Sequence, residues 1–270
     1  MKIYKATNTL EGYLPSLEYT EEMADVEIIL VGGKKFDLDD FPKLRGIFKT
    51  GVGTDNLPFA EANTREIEIE LPSEKTRDII FEETAAFTCH LILKGLYAES
   101  GDWDAWSKAD RQTLHQKTLL VVGTGRIGQR VADKMRTFME VDTFDTAHDA
   151  AEVFESKIKA ADCVSLHVQL NEQTKGLFNA ERLAWLPDGA LLVNTARGPV
   201  VDEDALFQEL SSGRLRAAMD VFWQEPYRGK LTELPEDCFI RTPHIASTCR
   251  EFIQGTAADF MNFLQKISKA

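Results

Sequence analysis

From about residue 117 onward, short apolar runs rich in β-formers alternate with segments of helical period. This alternation restricts the fold more than any other feature of the chain. Strand-like runs stand at 118–122, 140–144, 162–166, 190–194, 217–222 and 238–241. Between the first two, residues 126–138 set Ile127, Val131, Met135 and Phe138 on one helical face. Asp202 precedes residues 205–210 as an N-cap, and Gly213 follows them as a C-cap. A strand that leads through a helix to the next strand makes a parallel βαβ unit, and a series of such units buries one sheet between two helical layers. The expected fold is therefore α/β, a doubly wound parallel sheet with its ligands at the carboxyl ends of the strands.

The first hundred residues read as a smaller α/β body. Residues 26–31 form a buried strand ending at Gly32-Gly33, and residues 44–48 another ending at Lys49-Thr50-Gly51-Val52-Gly53. Residues 81–97 read as a helix, and the polar stretch 98–102 as a linker. Residues 250–269 are helical by composition and can pack back on the first body. Two domains are expected: a discontinuous substrate domain of residues 1–97 and 248–270, and a Rossmann-type domain of residues 98–247, with the substrate held in the cleft between them.

Gly123-Thr124-Gly125-Arg126-Ile127-Gly128 is a GxGxxG motif in the right setting. A strand precedes it, an amphipathic helix follows it, and Asp145 comes 17 residues after Gly128 at the end of the next strand. Gly123 allows the tight turn, Gly125 lets backbone approach a pyrophosphate, and Gly128 lets helix and strand pack closely. The free N–H groups of the helix start favour phosphate charge. Asp145 can accept hydrogen bonds from an adenosine ribose and repels a 2′-phosphate, so NAD is the expected cofactor rather than NADP. Asp142 is a competing acid, but it lies within the strand.

Three further segments fall at strand ends: 194–203 with Arg197, 219–226 with Glu225, and 242–247 with His244. An arginine offers a fork of donors for a carboxylate. A glutamate favours the charged form of a neighbouring imidazole. The imidazole can then carry a proton to or from a carbonyl oxygen. Together these groups suit hydride transfer to a 2-oxo acid.

The ordered set GTGRIG, Asp145, NTARGPVVDE, MDVFWQEP and TPHIAS resembles the NAD-dependent D-isomer-specific 2-hydroxyacid dehydrogenases, a family that includes phosphoglycerate, D-lactate and glycerate/hydroxypyruvate enzymes. The resemblance implies that Arg197 binds the substrate carboxylate and polarises its carbonyl, that His244 is the proton donor and acceptor, and that Glu225 keeps His244 protonated for reduction. It implies Arg126, Ile127, Thr195, Ala196 and His244 beside the cofactor, and Asp220 as a contact on the nicotinamide side. It implies a substrate loop at Gly51, Val52 and Gly53, whose backbone N–H groups can hold a carboxylate. Lys49 stands where relatives carry a cation and suggests a second anionic group such as a phosphate. His167 is read as structural. Two departures stand out: Gln169 replaces a usual proline, and the stretch from Lys5 to Val26 has room for little where relatives place a helix. A co-repressor or other NAD-sensing binding protein of the same fold keeps the Arg/Glu/His set and is the alternative.

Composition limits the partners. With 31 Lys+Arg against 44 Asp+Glu, the net charge of −13 argues against a general nucleic-acid binder, though not against a small anionic substrate. No apolar run is long enough for a transmembrane helix. The scattered cysteines (Cys89, Cys163, Cys238 and Cys249) make no metal-ligand spacing and read as buried thiols of a reducing cytoplasm. No metal site is expected, and family habit suggests a homodimer.

Overall fold

A computed structural model describes residues 1–97, 102 and 104–269. The chain divides into two compact units, Met1–Ile80 with Ser247–Ala270, and Phe81–Ala246. The linker expected at 98–102 lies, apart from Asp102, outside the described residues.

In the first unit, β1 (Ile3–Ala6), β2 (Ile28–Val31), β3 (Gly46–Lys49) and β4 (Glu68–Glu70) form a parallel sheet in sequential order. Helix α1 (Phe59–Thr64) joins β3 to β4. The pleat sends Ile28 and Leu30 to one face, where they meet Phe48 and Phe260, and Ile29 and Val31 to the other, where they meet Ile47, Phe41 and Ala62. Residues 7–27 contain no α-helix, only a 3-10 turn at Met23–Asp25, and they bury Leu10 against the sheet. Val26 ends that turn, so β2 starts at Ile28 rather than at 26.

Helix α2 (Glu74–Leu96) begins seven residues before the expected start at 81. Its first turns carry Glu74, Lys75, Arg77 and Asp78, so apolar periodicity is absent there. The sequence places the domain boundaries at 97/98 and 247/248; the division into compact units falls inside this continuous helix, after Ile80, and the return falls after Ala246.

In the second unit, β5 (Thr118–Val122), α3 (Arg126–Met135), β6 (Glu140–Phe144), α4 (Phe154–Lys159), β7 (Cys163–Leu166), α5 (Ala180–Ala184), β8 (Leu191–Asn194), α6 (Glu203–Ser211), β9 (Arg216–Met219) and β10 (Phe239–Arg241) follow in order. The strands make one parallel sheet, β10-β9-β8-β7-β5-β6. Leu120, Val164 and Leu192 pack with Phe154, Ile158, Leu183 and Leu206 on one face. Leu119, Cys163 and Val193 pack with Ala85, Ile92, Val131 and Met135 on the other. Helices on both faces make this the expected doubly wound, Rossmann-type fold. Asp202 caps α6 by accepting from the Ala205 N–H, and Gly213 takes φ 74° after its end. Phe138 lies outside α3 and is exposed, and Met139 is buried in its stead. The chain leaves β5 for β6 on one side and returns to β7 on the other, so the order reverses beside β5, where doubly wound sheets hold ligands.

Helix α7 (Arg250–Lys269) belongs to the first unit and seats Phe260 and Phe263 on Phe48. Gly46 permits this approach, since a Cβ there would meet the Phe263 ring at 2.6 Å. Cys89 and Cys163 are buried, whereas Cys238 and Cys249 are only half-buried.

Candidate active site

The glycine turn after β5 is held from beneath by the loop after β7. Gly123 takes φ 95°, and a Cβ on it would lie 2.7 Å from the His167 carbonyl carbon. A Cβ on Gly128 would lie 1.9 Å from the Gly123 carbonyl oxygen, so the first turn of α3 can close on the strand only without a side chain. Gly125 differs: a Cβ there would meet nothing within 4 Å. It is the N-cap of α3 and supplies no side chain to the orphan N–H groups of the first turn. The result is a cradle of backbone donors facing open space, which fits the pyrophosphate of a dinucleotide. Arg126 is exposed and Ile127 half-buried at the mouth of this turn. The Arg126 guanidinium lies 5.4 Å from the Phe81 ring centroid.

Asp145, just past β6, reaches back to the same turn. Its Oδ2 accepts from the Thr124 N–H and hydroxyl, both at 2.7 Å, and its Oδ1 from the Ala147 N–H at 3.0 Å. Burial pushes this carboxyl up, but the Thr124 and Ala147 donors outweigh that and hold it below its ordinary value. The competing Asp142 is bound to the Lys157 ammonium at 2.6 and 2.8 Å, within the strand. His167 bonds Ser165 Oγ through Nε2 at 2.8 Å, and burial pushes its imidazole down to about 3, which suits a structural residue.

Three loops at the other strand ends converge within the second unit. His244 Nδ1 lies 2.7 Å from Glu225 Oε2, and both side chains are partly exposed. Glu225 Oε1 accepts from the Phe222 N–H at 3.0 Å. Burial pushes the Glu225 carboxyl up, yet the His244 hydrogen bond and charge, the Phe222 N–H and the charge of Arg197 together hold it below its ordinary value. Arg197 is half-buried, and its Nη1 donates to the Ala196 carbonyl at 2.8 Å.

Residues that carry no charge chemistry build this cluster. A Cβ on Gly198 would lie 2.1 Å from the Phe222 carbonyl carbon, so the loop with Arg197 and the loop with Glu225 touch backbone to backbone. The fully buried Asn194 straps the first loop, donating to the Arg197 carbonyl at 2.9 Å and accepting from the Ala196 N–H at 3.0 Å. Sequence reasoning gave Asn194 and Gly198 no role of their own; they stand out only once the loops are seen together. Thr195 is buried against Thr88 of α2.

Asp220 is fully buried. Its Oδ1 accepts from the Thr242 hydroxyl at 2.6 Å and the Ile245 N–H at 2.9 Å, and its Oδ2 from the Ala246 N–H at 2.8 Å. A buried carboxylate needs such donors, and by taking them from both sides of His244 it fixes the loop that presents the imidazole. This also ends β9 at Met219, short of the expected 222.

In the first unit, Gly51, Val52 and Gly53 are half-buried in the loop after β3. Lys49 is buried, and its ammonium donates to the Gly32 carbonyl and to Asn56 Oδ1, both at 2.6 Å. Asn56 in turn donates to the Gly32 and Lys34 carbonyls. Lys49 thus ties the loop after β3 to the loop after β2.

Comparison with known proteins agrees with this geometry. The family model described as D-isomer specific 2-hydroxyacid dehydrogenase, NAD binding domain, matches residues 87–246. The hydroxypyruvate reductase of Thermotoga maritima is 32% identical over 224 residues, covering 77% of this chain and 72% of that protein. The D-3-phosphoglycerate dehydrogenase of Bacillus subtilis is 32% identical over 242 residues, covering 84% of this chain but 46% of that protein, so the chain spans about half the length of this relative. The crystal structure of D-lactate dehydrogenase from Aquifex aeolicus complexed with NAD and lactic acid has the same fold, with a TM-score of 0.82 at 24% identity over 100% of this chain and 96% of that one. With that family model matching more than half of the chain and a relative 32% identical and covered to 72%, the chain belongs to the D-isomer-specific 2-hydroxyacid dehydrogenase family.

Proposed function

We propose that the protein is an NAD-dependent oxidoreductase that interconverts a small D-2-hydroxy acid and its 2-oxo acid. The observation that carries this reading is the 2.7 Å contact between His244 Nδ1 and Glu225 Oε2 within the field of Arg197. Bound NAD supplies or accepts the hydride at C2 of the substrate. Gly123, Gly125, Arg126, Ile127 and Gly128 would hold its pyrophosphate, Asp145 its adenosine ribose, and the corner of Thr195 and Ala196 its nicotinamide end. Arg197 binds the substrate carboxylate with its forked donors and stabilises the developing alkoxide. His244 keeps its Nδ1 proton on Glu225 and delivers the other, from Nε2, to the carbonyl oxygen during reduction; oxidation returns that proton to Nε2. Glu225 pairs with Nδ1 and so holds the imidazole in place for that transfer. Orientation by Arg197 supplies much of the rate enhancement.

The backbone N–H groups of Gly51, Val52 and Gly53 are proposed to bind the carboxylate as well. Lys49 is proposed to shape that loop through Gly32 and Asn56. The relatives carry names that refer to hydroxypyruvate, phosphoglycerate and lactate. The acid proposed is accordingly a small 2-hydroxy acid, and phosphorylated acids form one arm of the test. A homodimer and a cytoplasmic location are proposed on the family resemblance alone, and gel filtration at micromolar protein tests the dimer.

The deciding experiment follows NADH absorbance over a panel of 2-oxo acids: glyoxylate, hydroxypyruvate, pyruvate and 3-phosphohydroxypyruvate. Thermal shift with NADH runs alongside. Turnover of at least one acid supports the reading. A thermal shift with no turnover of any acid would overturn it in favour of an NAD-sensing binding protein.

A further inference from the structure

A short chain of buried hydroxyls runs from the interior of α2 to the corner that carries Arg197. Thr88 is fully buried, and its hydroxyl lies 2.7 Å from the Thr84 carbonyl and 2.8 Å from Thr195 Oγ1. A carbonyl only accepts, and a threonine hydroxyl has a single proton. Thr88 therefore donates to Thr84, and Thr195 must donate to Thr88. This fixes the Thr195 side chain against the helix, with its proton directed inward. On the far side of the same corner, Asn194 holds the Ala196 N–H and the Arg197 carbonyl. The residues from 194 to 197 are thus pinned from below by Thr88 and from within by Asn194.

α2 packs as a mostly apolar helix in this region, with Ala85, Leu91 and Ile92 in the same core. A threonine at 88 is a poor choice for packing alone, because a buried hydroxyl carries a desolvation penalty unless it is satisfied. Its hydroxyl meets the Thr84 carbonyl of its own helix and, outside the helix, Thr195 Oγ1 in the Arg197 corner.

We propose that Thr88 is a positioning residue: its hydroxyl sets the Thr195–Arg197 corner from inside the protein, and so sets the guanidinium. Its effect on turnover rests on the dehydrogenase reading above; its effect on the corner does not. Thr88→Val keeps the shape but removes both hydrogen bonds, and leaves the Thr195 hydroxyl without its acceptor. Thr88→Ser keeps the hydroxyl.

The experiment combines amide hydrogen exchange on the protein without substrate with steady-state reduction of whichever acid is turned over. In Thr88→Val, exchange should rise in the peptide spanning 194–198 and stay unchanged in the peptide spanning 242–246. Its kcat/KM should fall about tenfold, chiefly in kcat, since a small misplacement of an orienting group is costly. Thr88→Ser should restore both exchange and kcat/KM to within about twofold of the parent. Should Thr88→Val fail to fold, Thr195→Val removes the same hydroxyl contact, and the same rise in exchange is expected. Parent-like exchange at 194–198 in the folded valine variant, or no rescue by serine, overturns the proposal. A parent protein that reduces no acid sinks the dehydrogenase reading instead, and the exchange arm still decides the role of Thr88.

Discussion

Gly198 and Phe222 meet backbone to backbone: a Cβ on the glycine would lie 2.1 Å from the Phe222 carbonyl carbon and 2.5 Å from its oxygen. No side-chain rotation relieves such a contact, so any residue other than glycine must push the Arg197 loop away from the Glu225 loop. Gly198→Ala is expected to cost about 1–3 kcal/mol of stability, as overpacking does, and to lower kcat/KM by about a hundredfold through misplacement of Arg197. Urea unfolding and steady-state kinetics read the two effects. An alanine variant with parent-like kinetics would show that the loops can part without harm.

Glu225→Gln tests the pairing with His244. The glutamine removes the carboxylate that faces His244 Nδ1, so kcat/KM for reduction should fall about tenfold. A second consequence concerns stability. The folded carboxyl of Glu225 lies below its ordinary value, so its contribution is complete above that value and is lost as pH falls through the folded one. The glutamine variant should therefore show a shallower loss of stability below about pH 4.3. A kcat/KM profile and acid melts that overlay those of the parent would dissolve the pair.

Arg197→Ala should raise KM for the 2-oxo acid and lower kcat, with kcat/KM down by about two orders of magnitude or more. Substrate binding and charge stabilisation are both removed, so neither constant alone should carry the loss. A change below about threefold would take Arg197 out of the site.

Asp145→Ala acts on two things at once, because the same carboxylate bonds Thr124 at the glycine turn and stands at the end of β6. NAD should bind about tenfold more weakly, and the preference over NADP should shrink as the repulsion of a 2′-phosphate disappears. Dissociation constants for both cofactors, measured by fluorescence, check this. Unaltered discrimination would remove Asp145 from the ribose end.

Much of the second unit was legible because its central strands are buried on both faces and read as apolar runs, as 118–122 does for β5; the edge strand β6 at 140–144 is polar and half-exposed, and it was legible from the β-formers Val141, Thr143 and Phe144. The Arg/Glu/His set was legible because each residue follows such a run. Four things were hidden. The start of α2 is charged and shows no apolar stripe. β4 is a three-residue edge strand whose Glu-Ile-Glu pattern is too short to distinguish from a loop. The role of Asp220 depends on donors 22 to 26 residues further along the chain, which periodicity does not reveal. Gly198 was hidden for the same reason, since its constraint comes from a loop on another strand.

His244 takes φ 55°, a region where an L side chain crowds its own backbone. Thermal tolerance and turnover are thereby set against each other at a single position. Asparagine accepts this conformation more readily, and the partly exposed contact with Glu225 that it would forfeit contributes little to stability. His244→Asn should accordingly melt about 2 °C higher than the parent while losing reductive activity. A lower melting point would mean that the imidazole holds its loop together more strongly than its backbone resists.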